Sequence, residues 1–406
     1  MAMESSKQKR LLLLGGARYL LPVIKAAHDL GIYVITCDYL PDNYAHQYAD
    51  EYCNVSIIDK EAVLEKARQL KIDGITSFAC DPGVETAAYV AEALGLPTHP
   101  YESVAILQNK ARFRAFLEEN GFCVPKAKGY TDWKLAQQEA DLFRWPVIVK
   151  PTDSAGSKGV TKVDRVSDLK AAAEYAIGFS KTHSFIMEEY IEKAGYSSDS
   201  DCFVVDRELV FCSFSDQRFD NNSANPYTPA AYSWPSSMPQ QTQKELRAEL
   251  QRLFRLLKLK TSIFNVETRL GTDGKAYIME ASPRGGGNRL AEMLRYASGT
   301  DLIENTVRAA VGLPLSGIQG DPVYQGVWAE VILHSEQDGA FQKVDIAPEL
   351  MPCVKELDLW VQPGETVHTF TGANHAIGTI VLEFETEEFL RRVMDDIPHY
   401  LKVVTE

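Results

Sequence analysis

The feature that most limits the fold is the alternation of strand and helix patterns between residues 10 and 100: RLLLLGG, LLPVIKAAHDLG, YVITCDY, EAVLEKARQL, GITSFA and VETAAYVAEALG. Alternation of this kind implies βαβ units and a parallel sheet. Gly15 and Gly16 fall at the first strand-to-helix turn and Asp38 ends the second strand, where a dinucleotide-binding fold places its glycines and ribose acid. The GxGxxG pattern is incomplete, so an NAD-linked oxidoreductase is a minor alternative, and βαβ units host many ligands.

A chain of 406 residues exceeds one hydrophobic core and calls for two or three domains. Its formal charge of −14 repels phosphate backbones and anionic lipid, which argues against nucleic-acid and membrane-surface partners. An anionic ligand must therefore meet a local cluster of Lys, Arg or metal. Seven dispersed cysteines without a CxxC pair or zinc spacing read as reduced thiols, and the expected location is the cytoplasm. Lys7, Lys9 and Arg10 before residues 11–14 faintly resemble a secretory start, but Gly15, Gly16 and Arg18 end the apolar run too early.

Beyond residue 100, the stretch SVAILQNKARFRAFLEENG reads as helical and stops at Gly121. A strand-rich region follows to about residue 215, then a loop over 216–234 carrying Phe219, Tyr227, Tyr232 and Trp234, expected as a lid or binding loop. Thr242, with Glu245 three residues later, matches a capping box opening a helix with Leu246, Leu250, Leu253 and Leu257 on one face. From about 325 the chain is strand-rich again before a terminal helix near EEFLRRVMDDI.

The segment SIFNVETRLGTDGKAYIMEASPRGGGN carries the most chemistry, because two strand-like runs flank the Gly-Thr-Asp-Gly turn signal. With Leu270 opposite Lys275, Glu267 faces Ile278 and Asn265 faces Glu280. Alternation then puts both glutamates on one face as diagonal neighbours, with Arg269, Ser282 and Arg284. Phe264, Val266, Leu270, Tyr277, Met279 and Ala281 fill the core face. Two carboxylates about 7 to 8 Å apart between Cα atoms can hold a hard cation. A solvated polar hairpin is the bland alternative; the following Gly285, Gly286 and Gly287, which let backbone approach a ligand, weigh against it.

In WPVIVKPTDSAGSKGVTKV a strand ends at Lys150, and the amides of Ser154, Gly156, Ser157 and Gly159 can cradle phosphate oxygens. The segment lacks GxxxxGK[ST], and an ordinary turn remains the alternative. FIMEEYI at 185–191 is an apolar strand ending in two acids, and Lys110 stands near a helix start, where the dipole disfavours cations.

Together and in this order, these segments resemble the ATP-grasp superfamily, in particular its carboxylate-amine ligases, over roughly residues 10 to 400. The resemblance implies an α/β and α+β chain: a Rossmann-like parallel domain at 1–100, an ATP-grasp domain at 101–325 with a lid at 125–190 and a metal and catalytic part at 191–325, and a strand-rich subdomain at 326–406. It implies ATP and magnesium, with manganese as an alternative, and small-molecule carboxylate and amine partners, with a homodimer as an open assembly. Lys110 and Lys150 look like the phosphate-binding lysines, and residues 154–159 like the loop closing over them. Residues 188–191 resemble the adenine hinge, with Glu188 at the exocyclic amine and the backbone of Glu189 and Ile191 at the ring edge. Glu267 and Glu280 resemble the metal ligands, and Arg284 the arginine that neutralises the transferring phosphate. Arg284, Gly286, Gly287 and Asn288, with the 216–234 loop, are the expected substrate side.

Two positions depart from the family pattern. Ser282 stands where many members carry a metal-binding Asn, and the ribose acid is open among Asp199, Ser197 and Asp201, with Asp199 preferred. The implied reaction is ATP-dependent formation of an acyl phosphate, then attack by an amine. A biotin-type carboxylase, a carboxylate kinase and a non-catalytic nucleotide-binding protein are the alternatives.

Overall fold

Strands β1 (Arg10–Leu14), β2 (Tyr33–Asp38), β3 (Glu51–Asn54) and β4 (Gly74–Ser77) form a parallel sheet in the order β3-β2-β1-β4; the sequence pattern predicts a parallel sheet but does not predict β3. The computed structural model describes residues 8–220, 222–318 and 320–406, so Lys7 lies outside it. Leu11 and Leu13 enter one hydrophobic cluster while Leu12 and Leu14 enter another. A strand buried on both faces reads as a continuous apolar run, which is why RLLLL shows no alternation. Among the described residues no helix is long and apolar enough to cross a membrane.

The helical stretch after residue 100 is two helices, Tyr101–Gln108 and Lys110–Glu119, broken at Asn109. Asn109 is extended, and its Oδ1 accepts from the amides of Ala111 and Arg112, so it caps the second helix and places Lys110 at its first position. Gly121 ends that helix as expected, at φ +68°.

Strands β5 (Ala127–Tyr130), β6 (Val147–Pro151), β7 (Thr161–Val163) and β8 (Phe185–Glu189) form an antiparallel sheet ordered β5-β8-β6-β7. The helix Leu169–Gly178 covers it, giving a small core of Val147, Val149, Ala173, Phe185 and Met187.

The central sheet joins β9 (Ser198–Val205), β10 (Glu208–Cys212), β13 (Ser262–Leu270) and β14 (Ala276–Ser282) in the order β10-β9-β13-β14. The helix Gln240–Leu256 packs Leu246, Leu250, Leu253 and Phe254 beneath it. That helix starts before Thr242. Pro239, with ψ 134°, is the N-cap residue, and its carbonyl accepts from the Gln243 amide, so Thr242 already lies inside the helix and the capping box is not formed.

The β13–β14 register also differs from expectation. Leu270 pairs with Ala276, because Asp273 accepts from the Lys275 amide and the Tyr277 hydroxyl and lengthens the turn. A bulge between Glu267 and Thr268 then places Glu267 directly opposite Glu280 and Asn265 opposite Ser282. Ile278 therefore joins the core, and Met279, expected there, lines the cavity.

Residues 216–234 are not one long loop. Strands β11 (Asp216–Phe219) and β12 (Pro229–Trp234) form a hairpin that enters a five-stranded sheet with β15 (Val327–Leu333), β17 (Val354–Leu359) and β19 (Gly378–Phe384), ordered β11-β12-β15-β19-β17. Tyr232 and Trp234 are buried in it, and the Asn, Ser and Pro that suggested loop lie mostly in the connection between the two strands. Strands β16 (Gly339–Ile346), β18 (Thr366–Val367) and β20 (Leu401–Thr405) make a final three-stranded sheet.

The N-terminal sheet meets the end of β14 at Gly285, whose carbonyl accepts from the Ala79 amide at 3.1 Å. A Cβ on Gly285 would lie 2.2 Å from the Phe78 ring. Gly285→Ala is expected to cost about 1 to 3 kcal/mol through this overpacking. A fall in the urea midpoint without change in the slope checks it; an unchanged midpoint contradicts the packing described.

Candidate functional site

One cavity of about 1880 Å³ lies where the lid sheet, the central sheet and the C-terminal sheet converge on the carboxyl ends of the N-terminal strands. Lys110, Lys150, Ser154, Gly156, Ser157, Glu188, Glu189, Ile191, Asp199, Glu267, Glu280, Arg284, Gly287 and Asn288 all line it. Gly159 and Gly286 do not. Gly159 packs on Pro151 and Phe179, where a Cβ would come within 2.9 Å, and Gly286 is set back against Leu290 and Asn265.

At the lid end, Glu188 lies between two cations. Its Oε2 accepts from Arg114 Nε at 2.9 Å, and its Oε1 accepts from Lys150 Nζ. Arg114 also donates to the Met279 carbonyl, which ties the helix after Lys110 to β14. Burial alone would raise the Glu188 carboxyl; Arg114 and Lys150 override it and hold it at about 2. Lys150 sits below the ordinary lysine range, because burial and the Arg114 and Lys110 charges outweigh the attraction of Glu188. The Glu188 side chain is thus held by this triangle and does not reach outward as an adenine contact. Arg114 had no signal in the sequence beyond its place on the Lys110 helix.

The rest of the hinge corrects the expectation in part. The Glu189 amide donates to the Lys126 carbonyl and so is not available to a ring edge, whereas the Ile191 carbonyl accepts one bond from Arg269 and keeps its second lone pair. Among the described residues nothing accepts from the Ile191 amide, which stays open to an acceptor on a base.

Lys110 Nζ donates to the Ser154 carbonyl at 2.8 Å and lies 3.6 Å from Glu280 Oε2, joining the glycine loop to the carboxylates. Gly156 and Ser157 both have positive φ, +68° and +57°. Ser157 Oγ donates to the Tyr227 carbonyl, which brings the loop against the β11–β12 connection.

Asp199, Glu267 and Glu280 stand in a row across β9, β13 and β14, each opposite the next. Burial, and then repulsion by Glu280, raise the Glu267 carboxyl, although Arg269 pulls it down. Burial and the Glu267 charge push Asp199 up to about 6. Glu280 and Glu267 each have one cation at the edge of ion-pair range, Lys110 at 3.6 Å and Arg269 at 3.7 Å, so three adjacent carboxylates meet two distant cations, and a divalent cation fits the remaining deficit. Among the described residues no cluster of three or more acidic, His or Cys side chains is poised as a metal cage. Magnesium does not need one, since it is held by one or two carboxylates with water and phosphate oxygens. Ser282 offers no ligand: its hydroxyl donates to Asp81 and accepts from Gln108.

Asp199 belongs with the Arg284 end of the cavity. It accepts from Asn265 Nδ2 at 2.7 Å and from the Tyr232 hydroxyl at 3.1 Å, so the ribose assignment is withdrawn. Asp201 beside it is fully buried, accepts from the Gly286 amide at 2.9 Å, and is pushed by burial up to about 7.

Arg284 is clamped by a residue the sequence reading missed. Its Nε and Nη2 donate to the two oxygens of Asp81, each at 2.8 Å, and Nη1 donates to Asn265 Oδ1 and the Gly285 carbonyl. Burial disfavours the guanidinium charge, but Asp81 more than restores it. The available signal was positional: Asp81 follows β4 at the carboxyl edge of a parallel sheet, where such folds place ligand groups. At the same edge Asp38 accepts from the Leu40 amide and Asn43, so the acid a dinucleotide reading needs braces its own loop. Of the aromatic residues expected on the substrate side, Phe219, Tyr227 and Tyr232 line the cavity, while Trp234 is buried in the core.

Residues 143–292 match the family model of the ATP-grasp domain. The chain is 26% identical over 298 residues to carnosine synthase 1 of Gallus gallus, covering 68% of this chain and 31% of that protein. It is 32% identical over 193 residues to the formate-dependent phosphoribosylglycinamide formyltransferase of Synechococcus sp. (strain WH7803), covering 45% and 48%. The matches thus span less than half the length of these two relatives. Among solved structures, the L-amino acid ligase from Bacillus licheniformis superposes with a TM-score of 0.79 at 20% identity, covering 98% of this chain and 99% of that one. The chain therefore carries an ATP-grasp domain and has the ATP-grasp fold.

Replacing Glu188 by Gln leaves Lys150 and Arg114 buried without their anion, and the expected loss is about 3 to 5 kcal/mol. Because the folded carboxyl is held at about 2, its contribution is complete above the unfolded value and fades as pH falls from about 4.5 toward 2. Urea denaturation of both proteins should show the gap at pH 7 narrowing over that acid range; a gap independent of pH contradicts the assignment.

Proposed function

We propose that this chain is an ADP-forming carboxylate-amine ligase acting on small molecules in the cytoplasm, as a monomer or homodimer. The observation that carries the reading is the convergence, on one cavity, of Lys110, Lys150 and the glycine loop with the Glu267/Glu280 pair and the Asp81-clamped Arg284. The lysines and the loop amides position the nucleotide phosphates, and the Ile191 amide faces the base. Magnesium held by Glu267 and Glu280 would neutralise phosphate oxygens and set the γ-phosphoryl group in line.

A substrate carboxylate oxygen then attacks the γ-phosphorus, the bond to the β-bridging oxygen breaks, and ADP leaves. Arg284 meets the charge that develops on the transferred group, and its clamp means that little reorganisation is needed at that moment. The amine nitrogen attacks the acyl carbon, inorganic phosphate leaves with the carbon–oxygen bond electrons, and the nitrogen gives up a proton to form the amide. Residues 154–159, held against Tyr227, keep water from the acyl phosphate.

ADP release should require both a carboxylate and an amine, and hydroxylamine should divert turnover to a hydroxamate. Turnover across a broad panel with no hydroxamate would count against the acyl phosphate. Glu280→Gln is expected to lower kcat by at least about 100-fold at an unchanged unfolding midpoint. Near-normal kcat in that variant would sink the metal assignment.

A further inference from the structure

The wall of the cavity beyond the Glu267/Glu280 pair carries a chain of hydrogen bonds crossing three parts of the fold. Tyr19, from the 3-10 turn Arg18–Leu20 after β1, donates to Asn288 Oδ1 at 3.2 Å, and Asn288 Nδ2 donates to the Tyr232 hydroxyl at 3.3 Å. Tyr232, on β12, donates to Asp199 Oδ2 at 3.1 Å, and Asn265 Nδ2 donates to Asp199 Oδ1 at 2.7 Å. Arg284 Nη1 donates to Asn265 Oδ1 at 3.1 Å, and Arg284 is fixed in turn by Asp81. A fixed anion and a fixed cation thus stand one carboxamide apart, both on the cavity surface.

The Asn265 amide is a template for what fits over it. It donates to Asp199 through its nitrogen and accepts from Arg284 through its oxygen. An α-ammonium and an α-carboxylate on adjacent carbons offer the same pair in a compact group, a donor toward Asp199 and an acceptor toward Arg284. Asp81 and the local acceptors use four of the five Arg284 N–H groups, leaving one on Nη2 for a ligand oxygen. Neither nucleotide binding nor phosphoryl transfer as described above uses Asp199, yet three side chains, Asn265, Tyr232 and Gln217, hold its carboxylate in place.

We propose that Asp199 and Arg284 are the two poles of a subsite for the zwitterionic end of an α-amino acid, which makes the acyl donor of the ligase an α-amino acid. This rests on the ligase reading for the fate of the carboxylate, and on the geometry alone for its binding. A carboxylic acid without the amino group leaves the Asp199 charge desolvated with only neutral donors around it, and a site built around such a group rejects that ligand.

The test is calorimetric titration of the full chain, with magnesium and adenylyl imidodiphosphate present, by each of the twenty L-α-amino acids. For every binder, the carboxylic acid with the same side chain and no amino group is titrated next. At least one amino acid is expected to bind, with its deaminated counterpart at least tenfold weaker. Asp199→Asn should bring the amino acid to within threefold of that counterpart, with binding of the nucleotide analogue as the control for folding. Should Asp199→Asn fail that control, Tyr232→Phe removes only one brace of the carboxylate and is expected to weaken the amino acid three- to tenfold while sparing the counterpart.

Absence of amino-acid binding, equal binding of the two ligands, or equal loss of both in the variants would overturn the subsite. Amino-acid binding without ADP release would sink the ligase reading and leave the subsite standing. ADP release as rapid with deaminated acids as with amino acids would do the reverse.

Discussion

The contact between Asp81 and Arg284 is where the separate layers of this protein become one site. Asp81 opens a helix after β4 of the N-terminal sheet, and Arg284 follows β14 of the central sheet. The two meet as a bidentate pair whose side chains retain only 19% and 10% of their exposure. Breaking such a pair strands a charge in a nearly dry place, so the relative placement of the two sheets is strongly held. Gly285 reinforces the contact, since only a residue without a side chain lets Phe78 lie against it.

Charge sets the character of the rest of the cavity. Asp199, Glu267 and Glu280 line up across three adjacent strands, and Glu188 is consumed by Lys150 and Arg114 at the lid end. The chain as a whole is acidic, and Lys110, Lys150 and Arg284 stand among these acids on the cavity wall. Carboxylates interleaved with cations suit the nucleotide and metal proposed above, the acids for the metal and the lysines for the phosphates.

Much of the scaffold was legible because it follows short-range rules. Parallel βαβ units announce themselves by period and length, and the strand pair around Gly271 and Gly274 by its turn residues. The exact pairing was not legible. The longer turn and the bulge beside Glu267 together move Met279 from the core to the cavity and Glu280 from a diagonal position to one directly opposite Glu267. A period-2 argument has no means of placing one extra residue, because the bulge answers to packing against β9 and the helix beneath. Strands β11 and β12 were hidden for a related reason: four to six residues flanked by Asn, Ser and Pro look like loop until a neighbouring sheet edge pairs with them.

The sequence by itself determined the ATP-grasp character: its order of lysines, glycine loop, hinge acids, glutamates and PRGGG is a one-dimensional signature that survives without coordinates. Only the tertiary structure decided which of those side chains face one another. Asp81, Tyr19 and Tyr232 are 203, 269 and 33 positions from the residues they hold, Arg284, Asn288 and Asp199 respectively. Contacts at that range are set by how sheets dock, which local propensity and motif spacing do not encode. The same is true of Glu188, whose role as the anion between two buried cations follows from burial and proximity and not from its place in the hinge.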